Sequence, residues 1–289
     1  MSDPAVAPPP IVRASPQEIS PGVFVIRDHR VPLVPNIGII LGSQAALVVD
    51  TGMGPANGKA VLAAARELAG SRKLFLTLTH FHPEHGFGAQ AFKGLAEIVY
   101  NRAQAAELAT KGAAYLDMFR GMSADVAAAL QGTELVTADR LYDGASHVID
   151  LGGRSVQLRT WGRAHTLADQ IVWLPEEGIL FTGDLAEERI FPIFPWFPPD
   201  DADIDAAGWL TALDAMVALA PRIVVPGHGA VGGVDIVQGV ASYIRAVAAA
   251  VKAGGTTETI AAHMQTRHPD WDAPEWIGFA VRYFQDRPL

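Results

Sequence analysis

The chain contains no cysteine. Disulfides and thiolate ligands are therefore excluded, and any metal must be held by nitrogen and oxygen atoms. A cluster of Lys and Arg is missing too, and the formal net charge is -9. Both features argue against a nucleic-acid footprint and against an anionic membrane surface as partner. No apolar run is long enough to span a bilayer. The first residues, Met1 to Pro10, have neither the basic start nor the apolar core of a signal peptide, so a cytoplasmic location is the expectation. What is present is an ordinary balance of 49% hydrophobic and 18% charged residues, enough for a sizeable core. A length of 289 residues suits one large α/β domain or two small ones.

Met1 to about Ser20 is rich in Pro and reads as a flexible N-terminal arm, residues 1–20, with little to bury. From Gly22 the pattern is β: Val23 to Ile26, Ile37 to Leu41 and Ala46 to Val49, with a Pro-bearing loop at His29 to Pro35. Lys59 to Leu68 has helical spacing, Leu74 to Leu78 reads as a strand, Gly88 to Phe92 opens a helix, and Glu97 to Tyr100 is again β. A helix is expected at Ala103 to Ala109. The following stretch, Ala113 to Gln131, is helical in composition and reads as an insertion near a cleft. Strands are expected at Glu134 to Val136, Val156 to Thr160, Ile171 to Leu174, Gly178 to Phe181 and Ile223 to Val225. Helices are expected at Asp203 to Leu219, Ala241 to Val251, Thr257 to Gln265 and Ile277 to Phe284. No linker divides this order, so residues 21–289 read as a single domain of two packed sheets covered by helices.

Four short stretches carry metal-binding side chains: Thr79-His80-Phe81-His82-Pro83-Glu84-His85-Gly86, Gly162-Arg163-Ala164-His165-Thr166, Phe181-Thr182-Gly183-Asp184 and Val225-Pro226-Gly227-His228-Gly229. Each follows an expected strand, which places its ligands at the rim of a sheet. Five His and two carboxylates suffice for two divalent ions with open positions for water. Alternate residues of an extended segment face one side, so His80 and His82 can share one ion, and a turn at Pro83 can send Glu84 and His85 to a second. Asp50 reads equally as a turn former or as a residue that orients a ligand. Asp169 reads closer to a turn former. His29, His147, His263 and His268 lie outside any ligand spacing.

With Val48-Val49-Asp50-Thr51-Gly52, the His cluster, Gly183-Asp184 and Pro226-Gly227-His228-Gly229, the chain resembles the metallo-β-lactamase superfamily from about Gly22 to Gly229. The resemblance implies an αββα sandwich of two mixed β-sheets flanked by helices. It implies a first metal site of His80, His82 and His165, a second of Glu84, His85 and His228, and Asp184 as the bridging carboxylate. Glu84 and Asp184 are the implied catalytic residues. The implied chemistry is hydrolysis by a metal-bridging hydroxide on an ester, thioester, lactone or amide, with two Zn2+ as cofactor and iron or manganese as alternatives. The family pattern has Asp where this chain has Glu84, which points to a second ion that is displaced, weaker or of another kind. The third motif, Arg163 to Asp169, lacks the Gly and Pro that many relatives have near the His. The presence of Asp184 favours the lactonase-like and glyoxalase-II-like hydrolases over dedicated β-lactamases. The alternative on the same fold is a mononuclear iron dioxygenase of the persulfide dioxygenase type; a nuclease is disfavoured by the acidic charge. Phe191, Phe194, Trp196 and Phe197, with Tyr115, Met118 and Phe119, are candidates for a substrate wall and equally for core; as a wall they would select a small, partly apolar substrate.

Overall fold

The computed structural model describes residues 8–289. The chain forms two compact units, Met1–Asp143 with Val148–Val156, and Gly144–His147 with Gln157–Leu289.

The first unit is built on a seven-stranded mixed sheet in sequence order. β1 (Gln17–Ser20), β2 (Val23–Ile26), β3 (Ile37–Leu41) and β4 (Ala45–Val49) form an antiparallel meander. β5 (Lys73–Thr77), β6 (Glu97–Asn101) and β7 (Arg140–Tyr142) then add in parallel. Parallel neighbours need long crossovers, and helices fill them: α1 (Gly54–Ala69) between β4 and β5, the short turn α2 (Pro83–Gly86) between β5 and β6, and α3 (Arg102–Arg120) with α4 (Ala124–Ala129) between β6 and β7. All five residues of β4 are apolar and buried, as a strand covered on both faces requires. Pro55 stands in the first turn of α1, where a missing N–H costs nothing. The Asn101 side chain caps α3 through the Ala103 N–H, and Ser123 caps α4 through that of Val126.

The second sheet runs β12-β11-β10-β9-β8, from β8 (Ser146–Asp150), β9 (Ser155–Arg159), β10 (Ile171–Leu174), β11 (Ile179–Phe181) and β12 (Ile223–Val225). β9, β10 and β11 are antiparallel neighbours, and β12 lies parallel to β11. Helices α5 (Ala206–Ala218), α6 (Asp235–Lys252), α7 (Thr257–Arg267) and α8 (Ile277–Asp286) belong to this unit. Its core joins Trp173, Phe191, Phe194, Trp209, Tyr243 and Phe284. Two mixed sheets with helices agree with the expected α/β class. Among the described residues, no helix is long and apolar enough to cross a membrane.

Several expectations need correction. Residues 1–7 of the expected arm lie outside the described residues. The rest of the arm is anchored: the Val12 N–H donates to Asn57 Oδ1 at 2.9 Å, the Asn57 amide donates to the Pro10 carbonyl at 2.7 Å, Val12 is buried, and Gln17–Ser20 is the edge strand β1. Pairing with β2 supplies partners that composition does not reveal. Glu134 to Val136 is not a strand; the pairing segment comes later, as β7. The helix expected at Ala103 to Ala109 runs on to Arg120, because Leu108, Tyr115, Leu116 and Phe119 continue one buried face. The stretch expected as an insertion is thus the end of α3 with α4, and it contributes to the core. α6 begins six residues before Ala241, at Asp235, with Ile236, Val237, Val240 and Ile244 buried at helical spacing.

Gly58 gives this packing a sharp test. It lies inside α1, where Ala would ordinarily stabilise a helix by about 1 kcal/mol. A Cβ there would stand 2.0 Å from the Gly88 carbonyl oxygen, which is backbone and cannot swing away. Gly58→Ala should therefore reverse the usual sign and cost roughly 2 kcal/mol or more, read as a lowered urea midpoint. An unchanged or raised midpoint would refute this close approach of α1 to the segment after the His cluster.

Candidate metal centre

In the first unit the ends of β4 and β5 meet at one carboxylate. Asp50 follows β4 with φ of 66°, a left-handed conformation that non-glycine residues seldom adopt. Held there, Asp50 Oδ1 accepts from the Thr79 N–H at 2.7 Å and Oδ2 accepts from the Thr79 hydroxyl at 2.9 Å. The same Oδ2 lies 2.9 Å from His85 Nδ1. A carboxylate only accepts, so Nδ1 of His85 carries the proton and Nε2 is the basic nitrogen. Thr79 passes this order on. With its own proton directed to Asp50, its oxygen accepts from His80 Nδ1 at 3.1 Å, which again leaves Nε2 as the nitrogen open to a metal. The following chain is tied back by the Thr51 N–H and hydroxyl, both donating to the His85 carbonyl at 2.8 and 2.9 Å. His80, Glu84 and His85 are buried and His82 is half-buried. The ligand atoms of His80 and His82 lie within 4.8 Å of each other, as do those of Glu84 and His85.

The second unit uses the same device. Asp169 Oδ2 accepts from the Thr166 N–H at 2.6 Å, and Oδ1 lies 3.3 Å from His165 Nδ1. Asp169 therefore both forms the turn and orients His165, whose ring rests on Trp209 at 5.4 Å between centroids. Trp209 is fixed in turn by its indole N–H, which donates to the Leu185 carbonyl at 2.9 Å. Asp184 and His228 follow the paired parallel strands β11 and β12, which set them side by side: His228 Nε2 is 3.8 Å from Asp184 Oδ1. Gly227 allows this approach, since a Cβ at that position would sit 1.9 Å from Asp184 Oδ1. The ligand atoms of Asp184 fall within 4.8 Å of those of both His165 and His228.

Both donor sets fit a divalent ion. They consist only of imidazole nitrogen and carboxylate oxygen, and for His85 and His165 a carboxylate on Nδ1 reserves Nε2 for coordination, the arrangement found behind most metal-ligating histidines. Tyr100, fully buried, has its pKa raised by desolvation and then by the charge of Asp50, so its phenol stays neutral. The aromatic candidates divide. Phe191 and Phe194 are core residues of the second unit, and Tyr115 and Phe119 are buried in the first; Trp196, Phe197 and Met118 are half-buried. His29 is exposed. Sequence reasoning gave no role to Thr79 or Trp209. Thr79 had a signal, a hydroxyl residue directly before the first His. Trp209 had none, because 44 residues separate it from His165.

Asp50→Asn keeps size and removes the charge. An amide cannot accept from all three donors as a carboxylate does, so the variant should lose about 1–3 kcal/mol of stability and bind metal on the order of 10- to 100-fold more weakly. Chemical denaturation and metal titration measure the two effects. Parent-like values in both would remove Asp50 from its orienting role.

A family model, the metallo-beta-lactamase superfamily, matches residues 30–228. A metallo-beta-lactamase type 2 from Bacteroides fragilis is 33% identical over 95 residues, which is 32% of this chain and 36% of that protein. The aligned part thus spans about a third of that relative's length. Two solved structures show the likeness of fold. A metallo-beta-lactamase from Pontibacter korlensis superposes with a TM-score of 0.60 at 19% identity, over 79% of this chain and 97% of that one. The inverting sec-alkylsulfatase Pisa1 from Pseudomonas sp. superposes with a TM-score of 0.69 at 18% identity, over 95% of this chain and 50% of that one. With strand-end histidines, orienting carboxylates and a family match across most of its length, the chain belongs to the metallo-beta-lactamase superfamily.

Proposed function

We propose that this protein is a metal-dependent hydrolase with a dinuclear zinc centre. His80, His82 and His165 would hold the first ion, Glu84, His85 and His228 the second, and Asp184 both. One observation carries the reading: within each unit the candidate ligand atoms converge, those of His80 and His82 and those of Glu84 and His85 lying within 4.8 Å of one another in the first, and those of Asp184 lying as close to both His165 and His228 in the second. Joined as proposed, these donors would give each ion the three or four N and O ligands that zinc takes in catalytic sites. The oxygens of Thr79, Asp50 and Asp169 on Nδ1 of His80, His85 and His165 fix the direction of those rings and leave Nε2 to ligate.

Bound ions of this kind would lower the pKa of water to about 7 and polarise the bond under attack. The chain's own part is to orient and to exclude. Buried Asp50 and Asp169 hold their histidines, and Asp184 presents two oxygens from a rigid turn after β11. Glu84 stands where the family has Asp. Glu84 is buried beside His85 in the helical turn Pro83–Gly86, and we read that turn as the place where the extra methylene is taken up. We assign Glu84 to the second ion and expect that ion to be the more weakly held. The substrate class is an ester, thioester, lactone or amide, β-lactams included. Half-buried Trp196, Phe197 and Met118 favour one that is partly apolar.

Glu84→Gln should cut turnover by about 100-fold or more, as loss of a charged group at a reacting centre does, while one ion per chain remains. Metal analysis of parent and variant, with rates on a panel of lactones, thioesters, β-lactams and a sec-alkyl sulfate, checks this. Two zinc ions in the parent and one in the variant support the assignment. A single iron in the parent would overturn it in favour of oxygen chemistry. Parent-like metal content and rate in Glu84→Gln would remove Glu84 from the centre.

A further inference from the structure

His80, His85 and His165 are each oriented through Nδ1 by an oxygen of Thr79, Asp50 or Asp169. His82 also makes a contact of a different kind. Its imidazole lies face to face with the phenol of Tyr115, with ring centroids 5.1 Å apart and planes 21° from parallel. Phe81 and His80 meet the same imidazole edge-on, at 5.0 and 4.6 Å. Tyr115 belongs to α3 and is itself immobilised: Phe81 packs edge-on against it at 4.8 Å, Phe119 stacks at 6.5 Å, and only 2% of it is exposed.

We propose that Tyr115 is a positioning residue for metal binding, its ring stacked on His82 from α3 fixing the direction in which that imidazole presents its ligating nitrogen. The inference rests on the reading of His82 as a ligand of the first ion. His82 precedes α2 with an extended backbone, φ -58° and ψ 150°, so helix geometry does not fix its ring. A planar neighbour at stacking distance restricts χ2 without occupying either ring nitrogen. The chemistry favours the bound state as well. An imidazole that has given its lone pair to a cation is electron-poor, and the electron-rich face of a phenol stabilises an electron-poor ring. Tyr supplies this from a side chain with few rotatable bonds, in a position that α3 holds rigid.

The test is titration of the metal-stripped full-length protein with Zn2+ against a competing chelator, and with Co2+ followed by its visible spectrum. Tyr115→Phe keeps the ring and should bind the first ion within about twofold of the parent. Tyr115→Leu removes the ring face and should weaken the first ion roughly three- to tenfold, the range of aromatic pair energies, with an altered Co2+ spectrum. Tyr115→Met serves the same purpose should Tyr115→Leu fail to fold. Leu116→Ala, one residue along the same buried face, controls for loss of packing and should lower stability with affinity unchanged. Parent-like affinity in the ring-deleted variants, or an equal loss in Leu116→Ala, overturns the proposal. His82→Ala separates the two readings. If it retains the first ion at parent affinity, His82 is not a ligand and both fall. If it loses the ion while Tyr115→Leu matches the parent, only the positioning role falls.

Discussion

The Asp50 carboxylate is the interaction on which the rest of the first unit's metal-binding face depends. It is buried and held in a left-handed backbone conformation, and it accepts hydrogen bonds from the Thr79 N–H, the Thr79 hydroxyl and His85 Nδ1. A buried carboxylate is costly unless its oxygens are satisfied. Here they are satisfied by groups from the end of β5 and from α2, so solvating one charge within the protein also aligns two histidines. The backbone strain at Asp50 is offset by these bonds and by the parallel pairing of β4 with β5. Had the residue after β4 taken an ordinary extended conformation, its side chain would point elsewhere and Thr79 would lose both partners.

The second unit reaches the same end by different means. Asp169 caps a turn and orients His165 in one step, and Trp209 backs the imidazole from α5. Asp184 and His228 owe their proximity to β11 and β12 lying parallel and in register, Ile179 against Ile223 through Phe181 against Val225. Gly227 then admits the carboxylate where any side chain would collide with it. In both units the candidate ligands stand on strand ends or the turns after them, and the groups that aim them come from a neighbouring strand, turn or helix. Strand ends and turns thus carry the donors, and the rings of His80, His82, His85 and His165 are further restrained by an oxygen on Nδ1 or by a stacked ring.

Much of this was legible in the chain itself. The seven candidate donors stand in four short motifs that each follow a β-rich run, and a His or Asp just past a strand end has few structural reasons to be there. The α/β class and most element positions followed from periodicity. The absence of cysteine left only nitrogen and oxygen as ligands. The substitution of Glu84 for the family Asp was visible as a departure from the pattern the chain resembles.

Other features arose only from tertiary contact. Gln17–Ser20 is a strand because β2 offers it hydrogen-bond partners, which no local composition signals. α3 continues through Gly112 to Arg120 because Tyr115, Leu116 and Phe119 find a core to enter, and a segment that read as an appendage became a wall beside His82. The choice between turn former and ligand-orienting residue for Asp50 and Asp169 could not be made from spacing, because both roles use the same residue type after a strand. The three-dimensional structure decides it by bringing His85 Nδ1 to 2.9 Å and His165 Nδ1 to 3.3 Å of those carboxylates. The sequence determined which atoms can bind a metal, since that is a property of residue type and local order. Their aim depends on contacts between residues as far apart as His82 and Tyr115, or His165 and Trp209, and only the folded chain creates those contacts.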